Sequence, residues 1–225
     1  DPSEFIPSDN FIKKKFKKID YIFNTHHHID HTGGNLYLQR KYKAKIIGSE
    51  KDKKRIPGIN IKLSDNENFK LGSVDFKIFL TPGHTNGHIC FYAKSEKVVF
   101  TGDTLFSLGC GKVFEGTYEE MLMSLNRIKK LPIDTKIYCG HEYTQKNLDF
   151  CTKYEINNSR LEEKERIIMS RLSKKEPTIP VTVEEELSTN IFLRCDVFAV
   201  KKSLGMENST ELEVFKKLRN LKDVF

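Results

Sequence analysis

Apolar residues recur along the chain with two periods, and the changes from one to the other mark its elements. Ile12, Phe16 and Ile19 fall at helical spacing through the run KKKFKK (Lys13 to Lys18), which predicts a helix with a solvated basic face. Tyr21 to Thr25 and Lys45 to Ile47 are short aromatic and β-branched runs that read as strands. Val74, Phe76, Ile78 and Leu80 then alternate with Asp75, Lys77 and Phe79, the period of a half-buried strand. Apolar runs at Ile89 to Tyr92, Val98 to Thr101 and Lys136 to Cys139 predict three more. Thr117 with Glu120 three residues on forms a capping box, after which Met121, Leu125 and Ile128 share one helical face. Strands and helices in this order predict an α+β protein whose sheets are covered by helices.

Past Asn147 the strand signals all but vanish. Leu161 to Leu172 is charged and helical, residues 176–182 hold two prolines, and Thr210 with Glu213 caps a last helix carrying Leu212, Phe215 and Leu218. The expected division is a sheet-containing domain over residues 1–158 and a small helical one over 159–225.

Composition narrows the classes. Apolar residues make up 38% and charged residues 31% of the 225, the balance of a well-solvated globular chain. No apolar run approaches the roughly 18 residues that span a bilayer, so no membrane association is expected. The net charge of +7 admits an anionic substrate or nucleic acid, but the helical patterning within KKKFKK favours a solvated face. Five cysteines without a CxxC pair predict reduced thiols in a cytosol-like compartment. The cytoplasm is therefore the expected location, and because the chain opens on Asp1-Pro2 rather than methionine an organellar form stays open.

Four of the seven histidines stand in one short stretch, THHHIDH: His26, His27, His28 and His31, with Asp30 among them. The remaining candidates each follow a strand: His84 after Thr81, Asp103 after Thr101, His141 after Cys139. Glycines mark the same turns, and loops at strand ends can converge on one sheet edge, as a multi-ligand metal centre requires. In an extended segment His26 and His28 point the same way and His27 the opposite way. Asp30 and His31, from the bend that follows, reach a second point. The expected allocation is His26, His28 and His84 to one cation, Asp30, His31 and His141 to a second, and Asp103 to both, with Asp30 also orienting the nucleophile. Imidazole and carboxylate ligands suit zinc, the expected ion, and also iron or manganese. Two cations held this way share a water whose pKa falls to about 7. His27 and His88 are expected to support or pack rather than ligate.

THHHIDH, TPGHTNGH, FTGDTLF and YCGHEY, in this order, resemble the metallo-β-lactamase superfamily, and within it GCGKVFEGT and the C-terminal RNLKD resemble the glyoxalase II, or hydroxyacylglutathione hydrolase, family. That resemblance implies an αββα sandwich with a binuclear centre and a helical domain closing over the substrate. It implies S-D-lactoylglutathione as substrate, with D-lactate and glutathione as products; a monomer without a nucleic-acid partner is expected. Lys112 and Tyr143 would contact the glutathione moiety, and Arg219 and Lys222, three apart on one helix face, would take its glycine carboxylate. Where the family often has Tyr, Phe114 stands, so one hydroxyl contact is expected to be missing. The family's first strands would stand roughly 30 residues ahead of Asp1-Pro2 and are expected to be missing from this sequence. Among rivals, the one-iron persulfide dioxygenases are disfavoured by the complete second ligand set, zinc-dependent β-lactamases by His31, ribonucleases by the want of an RNA-binding module, and a metal-stabilised binding module by the intact ligands.

Overall fold

The computed structural model describes residues 1–155 and 157–225. The chain enters through helix α1 (Phe5–Lys15), which buries Ile12 and ends its last turn on Lys13, Lys14 and Lys15. The helix expected to run on through Ile19 stops at Phe16, which is extended (φ −136°) and 57% exposed. The turn that follows brings Ile19 back against Ile12, Ile22 and Leu38, so burial of Ile19 is achieved by leaving the helix. Strand β1 (Tyr21–Phe23), the single turn α2 (Ile29–Thr32), helix α3 (Asn35–Tyr42), β2 (Lys45–Ser49) and β3 (Ile59–Leu63) follow, and the three strands form a parallel sheet in the order β1-β2-β3.

Next come β4 (Asn68–Leu71), β5 (Val74–Leu80), β6 (Ile89–Ala93), β7 (Val98–Gly102), a short hairpin of β8 (Leu105–Phe106) and β9 (Gly109–Cys110), helix α4 (Tyr118–Lys129) and β10 (Lys136–Cys139). The remainder is α5 (Thr144–Tyr154), α6 (Ser159–Ser173), β11 (Val181–Thr182), α7 (Val183–Thr189), α8 (Phe198–Ser203) and α9 (Glu211–Asp223). The second sheet has the order β11-β10-β7-β6-β5-β4, antiparallel except where β10 lies beside β7.

Side-chain alternation makes the layers. Ile78, Ile89 and Phe91 point toward the first sheet, where Ile47, Leu63 and Phe23 meet them. Phe79, Cys90, Tyr92 and Val99 point the other way, onto Met121, Leu125 and Ile128 of α4. Helices α1 and α3 cover the outer face of the first sheet through Ile12 and Leu38. The result is the expected αββα sandwich. Strand β6 is buried on both faces, which is why its sequence is a continuous apolar run without alternation. The capping boxes at Thr117/Glu120 and Thr210/Glu213 both form, as does a third at Thr182/Glu185.

The C-terminal helices grip the β8–β9 hairpin. Glu186 on α7, fully buried, accepts from the Leu108 backbone N–H at 2.8 Å and from Asn190 Nδ2 at 2.9 Å, and pairs with Lys164 Nζ at 2.5 Å. Asn147 and Asn190 amides donate to the carbonyls of Ser107 and Gly109. Replacing Glu186 by alanine strands the buried Lys164 ammonium and the Leu108 N–H. The expected loss is about 3–5 kcal/mol of unfolding free energy, read from the urea midpoint; a shift under about 1 kcal/mol contradicts it.

Candidate metal centre

The seven proposed ligands come from four connections between elements: the segment after β1, the loop after β5, the turn after β7 and the loop after β10. Two of these turns depend on glycine. Gly102 has φ +47°, and a Cβ at Gly140 would stand 2.3 Å from Asp103 Oδ1 and 2.7 Å from His31 Cε1. At Gly140 a side chain would displace two ligands, and at Gly102 it would strike Thr25 and His88, which stand behind them.

Three sets of ligand atoms each lie within 4.8 Å of one another: His26, His28 and His84; His26, His31 and Asp103; and Asp30, His31 and His141. His28 Nδ1 is 3.1 Å from His26 Nε2 and 3.1 Å from His84 Nε2. At the second point His31 Nε2 and His141 Nε2 are 3.1 Å apart, with Asp30 Oδ2 3.3 Å from His141 Nε2. Asp103 stands between the two groups, Oδ1 3.3 Å from His31 Nε2, and Oδ2 3.5 Å from His141 Nε2 and 3.6 Å from His84 Nε2.

These separations fit cations. Ligand atoms tetrahedrally placed around zinc at about 2.0–2.1 Å are themselves about 3.3 Å apart. Asp103 Oδ1 is buried without a hydrogen-bond partner, an acceptor left open toward the cluster. Burial depresses the pKa of His26, His28 and His84 and keeps their lone pairs available. Burial alone would raise the pKa of Asp103, but the imidazoles of His141 and His31 beside it outweigh that and lower it, and the Asp103 carboxylate in turn raises the pKa of His141.

Behind the ligands stand groups that orient them. His84 Nδ1 donates to the Lys112 carbonyl at 2.8 Å. Asp1 accepts from the Thr25 N–H and Thr25 Oγ1, both at 2.7 Å, and Thr25 Oγ1 is 3.1 Å from His26 Nδ1. The other far nitrogen, His31 Nδ1, is 3.1 Å from Asp1 Oδ2, an ion-pair distance outside hydrogen-bond alignment. One carboxylate thus supports a histidine of each group. Asn24 Nδ2 donates to the His31 carbonyl, and Asn35 Nδ2 to Asn24 Oδ1. Sequence reading singles out neither Asp1 nor Asn24, because their partners are joined by folding rather than by spacing. His27 turns away from the cluster, its Nδ1 3.3 Å from Asp52 Oδ2 and its Nε2 3.5 Å from Glu115 Oε1. His88 is wholly buried beside the cluster, and burial pushes its pKa down to about 3.

Residues 10–141 match the metallo-beta-lactamase superfamily model, and residues 142–225 match the model described as the hydroxyacylglutathione hydrolase C-terminus. The hydroxyacylglutathione hydrolase of Pelagibacter ubique is 51% identical over 225 residues, covering 100% of this chain and 88% of that one. The chain belongs to the hydroxyacylglutathione hydrolase family. Its relative from Methylococcus capsulatus is 42% identical over 208 residues, 92% of this chain and 81% of the relative. Two solved structures share the fold: ETHE1 from Myxococcus xanthus (TM-score 0.66, 21% identity, 97% of this chain and 77% of that one) and the BLEG-1 B3 metallo-beta-lactamase (TM-score 0.62, 21% identity, 83% of each). Among the described residues no helix is long and apolar enough to cross a membrane.

In this family member a cavity of about 550 Å³ opens beside the cluster. His28, Asp30, His84 and Asp103 reach it from below, and Lys112, Phe114, Glu115 and Tyr143 from the sides. The Lys112 ammonium lies 5.6 Å from the centre of the Phe114 ring, and Tyr143 stacks on His141 with centroids 4.8 Å apart. Arg219 and Lys222 do not line this cavity. Arg219 is buried, donating to the Cys110 carbonyl at 2.9 Å and to Asp223 Oδ1 at 2.9 Å, and Lys222 Nζ donates to the Lys146 carbonyl at 2.8 Å. Burial, with Arg219 nearby, lowers the Lys222 pKa to about 8. A carboxylate reaching either cation must therefore exchange with bonds already made, and Arg219 also ties α9 to the strand that leads into Lys112.

Proposed function

We propose that the chain is a binuclear metal-dependent thioesterase that hydrolyses S-D-lactoylglutathione to D-lactate and glutathione. The observation that carries this reading is the convergence of two ligand groups on Asp103 at the floor of a cavity walled by Lys112 and Tyr143. His26, His28 and His84 would hold one cation, Asp30, His31 and His141 the other, and Asp103 both. Zinc is the ion we assign, on the nitrogen and oxygen donors and their spacing; iron and manganese accept the same donors. Divalent cations supply an ionised water at neutral pH and a Lewis acid for the thioester carbonyl.

The chain's own groups do the rest. Asp30, 53% exposed at its side chain, faces the cavity with an oxygen free to orient the attacking water. Lys112 offers charge to an anionic glutathione, and Tyr143 a hydroxyl. Phe114 lays an apolar edge along the cavity, 5.3 Å from the His84 ring. Departure of glutathione as thiolate needs little help, since an ordinary thiol ionises near pH 8.5. Arg219 and Lys222 are assigned to the glycine carboxylate on charge alone, reached by exchange of the bonds described above.

We read residues 1–158 as the catalytic domain and 159–225 as the helical thioester-binding domain, because the ligands run from His26 to His141 while Arg219 and Lys222 follow. We also read the protein as a cytoplasmic monomer acting on a small molecule without nucleic acid, its five unpaired cysteines supporting a reducing compartment.

The test is a substrate panel. S-D-lactoylglutathione should turn over, while its oxygen ester, a β-lactam and glutathione persulfide with oxygen uptake should lag far behind; preferred consumption of any of the last three refutes the assignment. Phe114→Tyr, which restores a hydroxyl at the cavity wall, should lower KM about two- to tenfold with kcat unchanged, the worth of one hydrogen bond. An unchanged KM removes Phe114 from the substrate contacts.

A further inference from the structure

His27 and His88 are the two histidines outside the ligand sets, and they differ. His27 faces Asp52 and Glu115. The buried ring of His88 stacks on that of His26, with centroids 5.0 Å apart and planes at 24°, and its Nε2 is 3.1 Å from the backbone nitrogen of Asp103. A backbone amide only donates, so Nε2 must carry the lone pair, and a neutral ring then carries its proton on Nδ1. The surroundings of Nδ1 agree. Thr81 Oγ1 at 2.9 Å and Thr104 Oγ1 at 3.1 Å are hydroxyl oxygens that can accept, and the two hydroxyls are linked to each other at 3.1 Å.

The backbone at this turn is shaped for the same contact. Gly102 is left-handed at φ +47°, and a Cβ there would lie 2.7 Å from His88 Nε2 and 2.4 Å from Thr25 Oγ1. Only glycine lets the imidazole lie under the turn that presents Asp103. Parallel pairing of β7 with β10 is irregular at Tyr138/Cys139, where Cys139 comes to pair with Gly102. The Asp103 N–H turns inward from there, and His88 is its acceptor. Without an acceptor that buried donor would be left unpaired, a cost the turn could relieve only by rotating and carrying the carboxylate with it.

We propose that His88 is the positioning residue for Asp103, an imidazole locked in one tautomer by Thr81 and Thr104 that anchors the backbone amide of the residue shared by the two cation sites. The proposal rests on Asp103 being that shared ligand. It assigns His88 no contact with substrate or cation. Its effect is transmitted through one hydrogen bond, and its magnitude is that of outer partners of metal ligands generally, 10- to 100-fold in affinity.

The test uses the full chain and zinc alone. In metal-free protein, long-range nitrogen–proton correlation spectra should show the His88 proton on Nδ1 and a bare Nε2; a proton on Nε2 overturns the proposal. Competition with a chelating dye should show His88→Leu binding zinc about 10- to 100-fold more weakly, with kcat falling and KM unchanged. His88→Gln, whose side-chain oxygen can accept the same N–H, should recover most of the affinity. Equal affinity in His88→Leu and wild type, or equal loss in the Leu and Gln variants, refutes a role through this bond. If the Leu variant does not fold, the Thr81→Val/Thr104→Val pair, which frees the tautomer, should weaken zinc in the same direction; unchanged zinc affinity in that pair counts against the lock. Asp103→Ala separates the two levels: should it bind two zinc ions as tightly as wild type, the shared-ligand reading fails even where the His88 tautomer is found as stated.

Discussion

Asp103→Ala is expected to lower thioester turnover by roughly 10³-fold or more and to reduce bound metal below two ions per chain. The reason is its place between the two ligand groups. Its Oδ1 lies 3.3 Å from His31 Nε2 and its Oδ2 3.6 Å from His84 Nε2, so it is the carboxylate within reach of both. Removing it takes the negative charge from between two clusters of imidazoles, leaving any cations there to repel each other unscreened. Conservative replacement should help little. Asp103→Asn keeps the volume but not the charge, and its amide would place a donor where His31 and His141 present nitrogens. Metal analysis alongside steady-state kinetics checks both halves, and an Asp103→Ala protein with two ions and more than about a tenth of wild-type kcat would remove Asp103 from the centre.

The second large effect is expected at Asp1, which touches neither cation nor substrate. Asp1→Ala should weaken metal binding and activity together by about 10- to 100-fold. The carboxylate accepts two hydrogen bonds from Thr25, whose hydroxyl meets His26, and it stands 3.1 Å from His31 Nδ1. Losing it loosens one histidine of each ligand group at once. Asp1→Asn should retain one of the two Thr25 bonds through its single carbonyl oxygen but lose the second acceptor and the charge beside His31, so an intermediate loss is expected. Dye-competition titration of both variants reads the effect; wild-type affinity in Asp1→Ala would show that the histidines are held by packing alone.

These two residues also mark where sequence reading succeeds and where it stops. Asp103 is legible because it follows an apolar strand ending at Thr101 and a glycine, and strands that end on one edge bring such residues together. Strand β5 is legible over its whole length because its alternation spans seven residues, and α4 because its cap and its apolar face agree. Strands β3 and β4 are short and half-exposed, with Lys62 and Lys70 among them, and too brief for alternation to stand out. Strand β11 is two residues long, so no period exists to read; only pairing with β10 defines it. Asp1, and the particular bond through which His88 acts, escape for a different reason. Their roles lie in hydrogen bonds to residues 24 and 15 positions away, and nothing in local spacing records which backbone amide a folded imidazole will meet. Arg219 shows the converse. Its helix face and charge are legible, but not that its guanidinium is already engaged by Cys110 and Asp223.

The central claim is that turnover requires both ligand groups filled. Metal-free protein, prepared by chelation and titrated with zinc while S-D-lactoylglutathione hydrolysis and bound metal are followed together, tests it most directly. Activity should be absent without metal and reach its plateau at two ions per chain; full activity at one ion, or in the metal-free protein, would contradict a centre shared across Asp103.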